Sequence, residues 1–183
     1  MASAPTTSDL RTAPITTQRL VLRPIKEADL KELNVQRADP EVLKWTFDVD
    51  SGDNPSKFNT PNDWLPKNIN DPKNPWFLIC LRPNNSTSTT ETITGYICTR
   101  FEKDLGFCIG KQFWGQGLAT EAAKAYMQRF WEIFPEKQEL RAGCHGDNKG
   151  SGRVLEKTGF QEWVPPEGKV EEDAREFIIR RGH

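Results

Sequence analysis

The strongest constraint on the fold is a pair of glycines between a strand-like run and a long amphipathic segment. The run Leu105 to Ile109 is apolar, and Gln112-Phe113-Trp114-Gly115-Gln116-Gly117 follows it with the spacing Gln-x-x-Gly-x-Gly. Glycines allow a tight turn and let a ligand approach the backbone without a Cβ in the way. The free N–H groups and the dipole of the next helix attract an anion. The segment therefore predicts a phosphate or pyrophosphate site at a strand–helix turn.

Two common phosphate-binding motifs do not match this segment. A dinucleotide fold has Gly-x-Gly-x-x-Gly after its first strand, whereas these glycines lie far along the chain with a different spacing. A nucleotide-triphosphate loop ends in Gly-Lys-Ser or Gly-Lys-Thr, whereas Gly117 is followed by Leu118 and Ala119. A purely structural turn stays open from this segment alone, so the surrounding sequence has to decide.

Length and charge narrow the class of protein. A chain of 183 residues suits one domain with a sizeable core. Its 25 basic and 26 acidic side chains give a net charge of −1, so we expect neither a nucleic-acid nor a membrane partner. No stretch approaches the roughly 20 apolar residues of a membrane span. The N-terminus lacks the apolar core of a secretory signal, so a cytoplasmic protein is expected, with a nuclear or dual location open.

The cysteines predict buried free thiols. Cys80, Cys98, Cys108 and Cys144 are widely separated, lie in apolar strand-like runs and form no Cys-x-x-Cys pair. A zinc site would also require histidines, and the chain has two, one of them at the C-terminus. We therefore expect no metal.

The hydrophobic pattern predicts a short tail and one domain. Residues 1–13 look like a disordered tail, and residues 14–183 carry alternating strand and helix patterns. An amphipathic helix is predicted over Lys26 to Val42, and a loop with a short helix near Asn62 to Ile69 over residues 46–75. Residues 83–90 resemble a mobile hairpin loop. The inner face of the first helix would be Ala28, Leu30, Leu33, Val35 and Ala38. The predicted strands are Arg19–Ile25, Trp76–Leu81, Thr92–Phe101, Leu105–Ile109, Glu139–Cys144, Gln161–Val164 and Arg175–Arg181.

The helix after the glycines has the clearest pattern. Apolar residues recur at helical spacing from Ala119 to Phe134, and we interpret this aromatic stripe as core. Pro135 ends the helix. A second, short helix over Lys149 to Lys157 is followed by Gly159, a typical C-cap with an apolar residue beyond it. These elements predict an α/β domain, α+β in stricter usage, with about seven strands in a mixed, mostly antiparallel sheet and helices on both faces.

A second motif lies about 30 residues after the first. Asn148 and Ser151 are followed by Leu155-Glu156-Lys157-Thr158-Gly159-Phe160. The order strand, Gln-x-x-Gly-x-Gly, long helix, strand, Asn-x-x-Ser, short helix resembles the GNAT superfamily of acyl-CoA-dependent N-acetyltransferases. The opening Thr17-Gln18-Arg19-Leu20 and the run Phe113 to Ala122 resemble the branch with bacterial ribosomal-protein N-terminal alanine acetyltransferases. The resemblance spans residues 15–181.

The resemblance implies acetyl-CoA as the co-substrate and assigns its contacts. The loop and the start of the long helix would hold the pyrophosphate, and the two strands beside the helix would separate to admit the pantetheine arm, which pairs with backbone as an added strand does. Asn148 would contact this arm, and Ser151 would lie near the sulfur, where its hydroxyl can hydrogen-bond and stabilise the departing thiolate. A helix-capping role for Ser151 stays open. The implied cofactor contacts are Cys108, Ile109, Gln112, Trp114, Gly115, Gln116, Gly117, Leu118, Ala119, Asn148 and Ser151.

The implied reaction is attack of a neutral amine on the thioester, and its general base is not fixed by the sequence. Glu102 and Asp104 lie in the turn that leads into the strand before the glycines, and His145 ends the strand after the long helix. Each is a candidate base, each has an ordinary surface interpretation, and water can relay the proton instead. Glu121 is better explained by the helix dipole than by chemistry.

The acceptor is open between a protein N-terminus and a small amine, and the protein between a monomer and a homodimer. Asp48, Asp50 and Asp53 occur near aromatic residues and would suit a cationic acceptor, although an ordinary solvated acidic loop explains the same residues and is the preferred interpretation. A relative that binds CoA without catalysis, as a sensor or interaction module, is the alternative function. The intact Gly115, Gly117 and Ser151 favour an enzyme.

Overall fold

One eight-stranded sheet organises the chain. The computed structural model describes residues 6–45, 75–83, 91–164, 166 and 173–182. The strand order is β1-β2-β3-β4-β5-β6-β8-β7. The strands are β1 Ile15–Thr16, β2 Leu20–Pro24, β3 Trp76–Leu81, β4 Thr92–Arg100, β5 Asp104–Ile109, β6 Glu139–His145, β7 Gln161–Glu162 and β8 Ala174–Arg180. Neighbouring strands are antiparallel except β5 and β6, which are parallel. The predicted α/β fold is confirmed, with β1 as a strand beyond the seven predicted.

Five α-helices accompany the sheet in the described residues. They are α1 Thr7–Thr12, α2 Leu30–Arg37, α3 Pro40–Leu43, α4 Leu118–Ile133 and α5 Lys149–Lys157, and short 3₁₀ turns cover Glu27–Asp29 and Lys111–Phe113. The predicted short helix near Asn62 to Ile69, the rest of the 46–74 loop and residues 84–90 lie outside the described residues.

The helices cover both faces of the sheet. On one face, the α4 face, the predicted aromatic stripe is core: Tyr126 and Phe130 are fully buried among side chains of β2 to β6 and β8. On the other face, the α2 face, Leu33 packs with Leu78 and Tyr96 in a second cluster. Burial on both faces explains why β3 is a continuous apolar run.

The prediction of one continuous helix over Lys26 to Val42 is wrong. It is divided into a 3₁₀ turn, α2 and α3. The break between α2 and α3 arises because Pro40 follows Asp39, whose backbone is extended at ψ 124°, as the residue before a proline prefers. Of the predicted inner face, Leu33 is buried and Leu30 partly buried, whereas Ala28, Val35 and Ala38 are exposed. The buried positions instead include the polar Asp29 and Gln36, both held by hydrogen bonds.

The N-terminal segment is a correction to the expected tail over residues 1–13. Residues Thr7–Thr12 form α1, which begins with a capping box between Thr6 and Asp9. Arg129 of α4 donates to the carbonyl oxygens of Leu10 and Ala13 at 2.6 and 2.9 Å. This long-range anchoring has no local sequence signature, which is why the pattern alone missed it.

The C-terminal half follows the predictions closely. After α4, Phe134 is the C-cap and Pro135 follows. After α5, Gly159 adopts φ +95°, and the N–H of Phe160 donates to the carbonyl of Leu155 at 3.1 Å, as the predicted glycine C-cap requires. All four cysteines are free, three of them buried and Cys108 half-buried.

Candidate active site

The two parallel strands at the centre of the sheet separate. They share one bridge, Asp104↔Arg141, where the N–H of Arg141 donates to the carbonyl of Lys103 at 2.7 Å. Beyond it, no further β5–β6 pair forms along the described strands. We call the space between β5 and β6 beyond this bridge the gap. Along such a gap, the edges of both strands present unpaired backbone N–H and C=O groups that a bound ligand can use.

The register identifies the backbone groups that face the gap. The N–H of Gly110 donates to the carbonyl of Thr94 at 2.9 Å, and the β4–β5 ladder continues from there without a shift. Because hydrogen-bonded pairs alternate along an antiparallel ladder, Cys108 directs its backbone groups to β4. Phe107 and Ile109 direct theirs to the gap.

A cavity of about 660 Å³ runs through the gap. Its walls come from both faces of the sheet: Leu118 and Leu155 on the α4 face, Trp76 and Tyr96 on the α2 face. A cavity lined from both faces can hold one reactant on each side and bring them together between the strands. Of the predicted cofactor contacts, it is lined by Cys108, Ile109, Trp114, Gly115, Gly117, Leu118, Ala119, Asn148 and Ser151.

The glycine loop forms an open cradle at one end of the gap. Gly115 and Gly117 have φ of +74° and +75°, values that favour glycine. A Cβ at Gly115 would meet no atom within 4 Å, and one at Gly117 would meet Arg19 Nη2 at 3.6 Å. Gly117 is the N-cap of α4 and provides no side-chain cap. The first N–H groups of α4 are therefore available to an anion, and the cradle fits a pyrophosphate.

One of the two glutamines of the motif, Gln116, has a structural role. Gln116 Nε2 donates to the carbonyl of Gln112 at 3.1 Å, and neither residue is part of the described cavity wall. Trp114 Nε1 donates to the carbonyl of Ile109 at 2.7 Å and fixes the loop to the end of β5. The Gln116 side chain thus shapes the loop, and neither glutamine lines the described cavity.

Arg19 and Glu121 lock this loop and were not predicted as a pair. Glu121 accepts from the Thr17 hydroxyl at 2.6 Å, from the Arg19 N–H at 2.9 Å and from Arg19 Nε at 2.7 Å, while Arg19 Nη1 donates to the carbonyl of Gln116 at 2.9 Å. Burial acts to raise the pKa of Glu121, but these hydrogen bonds outweigh it and hold the pKa below its ordinary value. The dipole interpretation of Glu121 is therefore incomplete. No local signal joins residues 102 positions apart.

The start of α5 forms the other end of the gap. Asn148 Oδ1 accepts from the N–H of Ser151 at 3.0 Å and caps the helix. The capping role that stayed open for Ser151 thus belongs to Asn148, and Ser151 lines the cavity half-buried. Three basic residues, Lys149, Arg153 and Lys157, follow at intervals of four along α5 and also line the cavity, so they share one helix face.

The three candidate bases lie at different places. Glu102, in the β4–β5 turn, is 3.4 Å from Lys137 Nζ. His145 Nδ1 accepts from the N–H of Asp147 at 3.2 Å, and its ring lies 5.7 Å from that of Trp45. Asp104 lies at the bridge that closes the gap, and burial raises its pKa above the ordinary value despite the charges of Lys103, Arg100 and Arg141. None of the three is among the described cavity-lining residues.

Comparisons with known proteins agree with this geometry. A sequence model of the acetyltransferase (GNAT) domain matches residues 19–161. An acetyltransferase (GNAT family) from Bacillus anthracis superposes with a TM-score of 0.66 at 22% identity, over 92% of this chain and 98% of that chain. RimL, a ribosomal alpha-N-protein acetyltransferase solved with coenzyme A, gives 0.68 at 15% identity, over 92% and 98%.

The microcin self-immunity acetyltransferase MccE, solved with acetyl-CoA and AMP, gives a TM-score of 0.64 at 16% identity, over 90% of this chain and 93% of that chain. A comparison with curated protein sequences found no match. The structural neighbours show the fold, and the sequence model shows the family. The chain belongs to the GNAT acetyltransferase family.

Family membership confirms the predicted class of enzyme. The protein is an acyltransferase that uses acetyl-CoA for N-acetylation. The described residues hold no cluster of His, Cys, Asp and Glu side chains arranged to bind a metal. Among the described helices, none has the length and hydropathy needed to cross a membrane.

Proposed function

We propose that acetyl-CoA enters the gap from the α4 face and that an amine, of a protein N-terminus or a small molecule, attacks it from the α2 face. The observation that carries the proposal is the cavity that crosses the sheet between β5 and β6. The amine and the thioester would then approach each other from opposite faces of the sheet. Holding both in this orientation removes much of the entropic part of the activation barrier. Acetyl-CoA supplies an acetyl thioester, and the chain binds it, orients it and moves protons.

The cradle and the gap support the cofactor assignments. Gly115, Gly117 and the first N–H groups of α4 would bind the pyrophosphate, and the basic face of α5 would bind further phosphate charge. The backbone groups of Phe107 and Ile109 that face the gap would pair with the pantetheine amides. The N–H of Phe107 is placed to stabilise negative charge that develops on the thioester oxygen. These roles follow from the register rather than from side-chain identity.

Ser151 and Asp104 are the proposed proton-transfer groups. The Ser151 hydroxyl, free of the cap and lining the cavity at the start of α5, would donate to the departing thiolate. Asp104 would accept the amine proton through water, because it lies where the gap closes and burial raises its pKa. Glu102 and His145 remain alternative bases.

The experiment that tests the function is a CoA-release assay with purified protein, acetyl-CoA and a panel of small amines and N-terminal peptides, with products identified by mass spectrometry. Acetylation of an amine is the expected result. Tight acetyl-CoA binding without acetylation of any panel member would instead support the CoA-binding sensor or interaction module.

A further inference from the structure

The cavity carries positive charge although the protein has a net charge of −1. The described lining residues include five basic side chains, Arg37, Arg100, Lys149, Arg153 and Lys157, and one acidic side chain, Asp147. Three of the basic residues belong to α5 and are assigned to phosphate above. Arg37 on α2 and Arg100 on β4 instead line the cavity on the α2 face, the face from which the acceptor amine is proposed to approach.

Arg100 is the clearer of these two. Its Nε is fully buried and has no hydrogen-bond partner. Within the described part of the chain, its guanidinium forms no ion pair or side-chain hydrogen bond, in contrast to Arg23, which pairs with Asp29 and Glu91. A buried charged donor without a hydrogen-bond partner has a desolvation cost, and a bound anion would offset it.

The nearest carboxylate does not neutralise Arg100. Asp104 is its cross-strand neighbour on β5 and points to the same face of the sheet. The two side chains are nevertheless not an ion pair, and burial raises the pKa of Asp104 more than the charge of Arg100 and its neighbours lowers it. Arg100 is instead directed along β5, because a Cβ built at Gly106 would lie 3.9 Å from Arg100 Nε.

Gly106 lines the cavity at the middle of β5, one residue before Phe107, whose backbone faces the gap. Aromatic walls from Trp76 and Tyr96 stand beside it on the same face. An acidic group bound by Arg100 would thus be held against the sheet, close to the point where an acceptor amine has to reach the thioester. The apolar walls would strengthen the charge pair by excluding water.

We infer that Arg100 is the anion-binding residue of the acceptor site, and that the preferred acceptor is an amine that also carries a carboxylate or phosphate. This inference rests on the proposed function. A positive charge near the acceptor also disfavours the ammonium form of the amine, which helps to supply the neutral nucleophile. The expectation of a cationic acceptor, drawn from Asp48, Asp50 and Asp53, concerns residues outside the described part of the chain.

The test compares acceptors that differ by one anionic group. An aspartyl peptide is paired with the matching asparaginyl peptide, and O-phosphoserine amide with serine amide, so that the two arms separate carboxylate from phosphate. The wild type should favour at least one charged member by about 10-fold or more in kcat/KM, as expected for a charge-assisted hydrogen bond. In R100Q the ratio should approach one, and R100K should retain part of it.

The matched control is R180Q, because Arg180 is an exposed strand arginine away from this cavity. It should keep the wild-type ratio. R100Q should bind acetyl-CoA as the wild type does and show an unchanged circular dichroism spectrum. An unchanged ratio in R100Q, or a wild-type preference for the neutral acceptors, would overturn the inference.

A second measurement separates this inference from the proposed function. The protein saturated with CoA is titrated with N-acetyl-aspartate and with O-phospho-N-acetylserine, which carry the anion but no amine. If the wild type binds a probe and R100Q does not, the anion site is supported. This conclusion would hold even if no amine were acetylated, because the lack of acetylation would refute only the proposed function. Absence of binding by the wild type for both probes would refute the anion site.

Discussion

At the scale of single residues, the chemistry of the site depends on which polar atoms already form hydrogen bonds within the protein. Asn148 caps α5, so the Ser151 hydroxyl is available to the cavity. The Gln116 side chain is already hydrogen-bonded within the glycine loop. The sequence identified the motif but not this division of roles, because side-chain hydrogen bonds depend on rotamers that no spacing specifies.

Ser151→Ala should lower kcat by about 100-fold, the magnitude typical of a lost general acid. The dissociation constant for acetyl-CoA should change little, since the cradle is elsewhere. Stopped-flow or steady-state CoA release measures the first quantity, and calorimetry the second.

Asn148→Ala is the matched variant for Ser151→Ala. It removes the cap and should lower the free energy of unfolding by about 1 kcal/mol, an effect that Ser151→Ala should not show. Equal turnover in Ser151→Ala and wild type would contradict the proposed role of Ser151 as a general acid and leave it a structural one.

At the scale of elements, long-range contacts position the walls of the site. Arg23 on β2 donates to both carboxylate oxygens of Asp29 at 2.8 and 2.9 Å, and Asp29 also accepts from the N–H of Lys26. This places the start of α2 on the sheet. Pro40 then divides the predicted continuous helix, so that α3 can bring Val42 and Trp45 to the cavity.

Asp29→Asn should destabilise the protein by about 3 kcal/mol at pH 7, as breaking a buried ion pair does. Burial alone would raise the pKa of Asp29, but the hydrogen bonds from Arg23 and Lys26 outweigh it and hold the pKa below its ordinary value. The stabilisation is therefore complete above that value and lost as the pH falls through the folded-state pKa.

Denaturant unfolding from pH 7 down to pH 3 checks this dependence, and the difference between Asp29→Asn and wild type should shrink below about pH 4. Glu41→Gln, in the exposed Glu41–Lys44 pair, is the control and should leave the unfolding midpoint unchanged. A difference that stays constant over the whole pH range would contradict the assigned ion pair.

Gly95→Ala should displace β5, because a Cβ at Gly95 would lie 2.0 Å from the carbonyl oxygen of Cys108. Overpacking of this kind costs about 1–3 kcal/mol, and acetyl-CoA binding should weaken with it, since β5 forms one wall of the gap. Gly106→Ala is the control for stability, because its nearest neighbour, Cys98 Sγ, is 3.6 Å away. If the two variants unfolded at the same denaturant concentration, the close β4–β5 approach would be refuted.

At the scale of the whole molecule, the ordered motifs were sufficient to predict the family and the α/β fold. The strands, the long helix and the glycine C-cap follow local periodicity and turn chemistry. The anchoring of α1 by Arg129, the Arg19–Glu121 lock and the unpaired Arg100 could not be predicted. Each depends on residues that are brought together by the sheet and carry no spacing signal.

The central claim is that acetyl-CoA binds in the gap with its pyrophosphate at the glycine cradle, and calorimetric titration with acetyl-CoA tests it most directly. Wild type should bind, and Gly117→Trp should not, because the indole would fill the approach to the cradle. Gly182→Trp is the control, since Gly182 also has a positive φ, +92°, with open space around it. It should bind as wild type does. Undiminished affinity in Gly117→Trp, or no binding by wild type, would contradict the account.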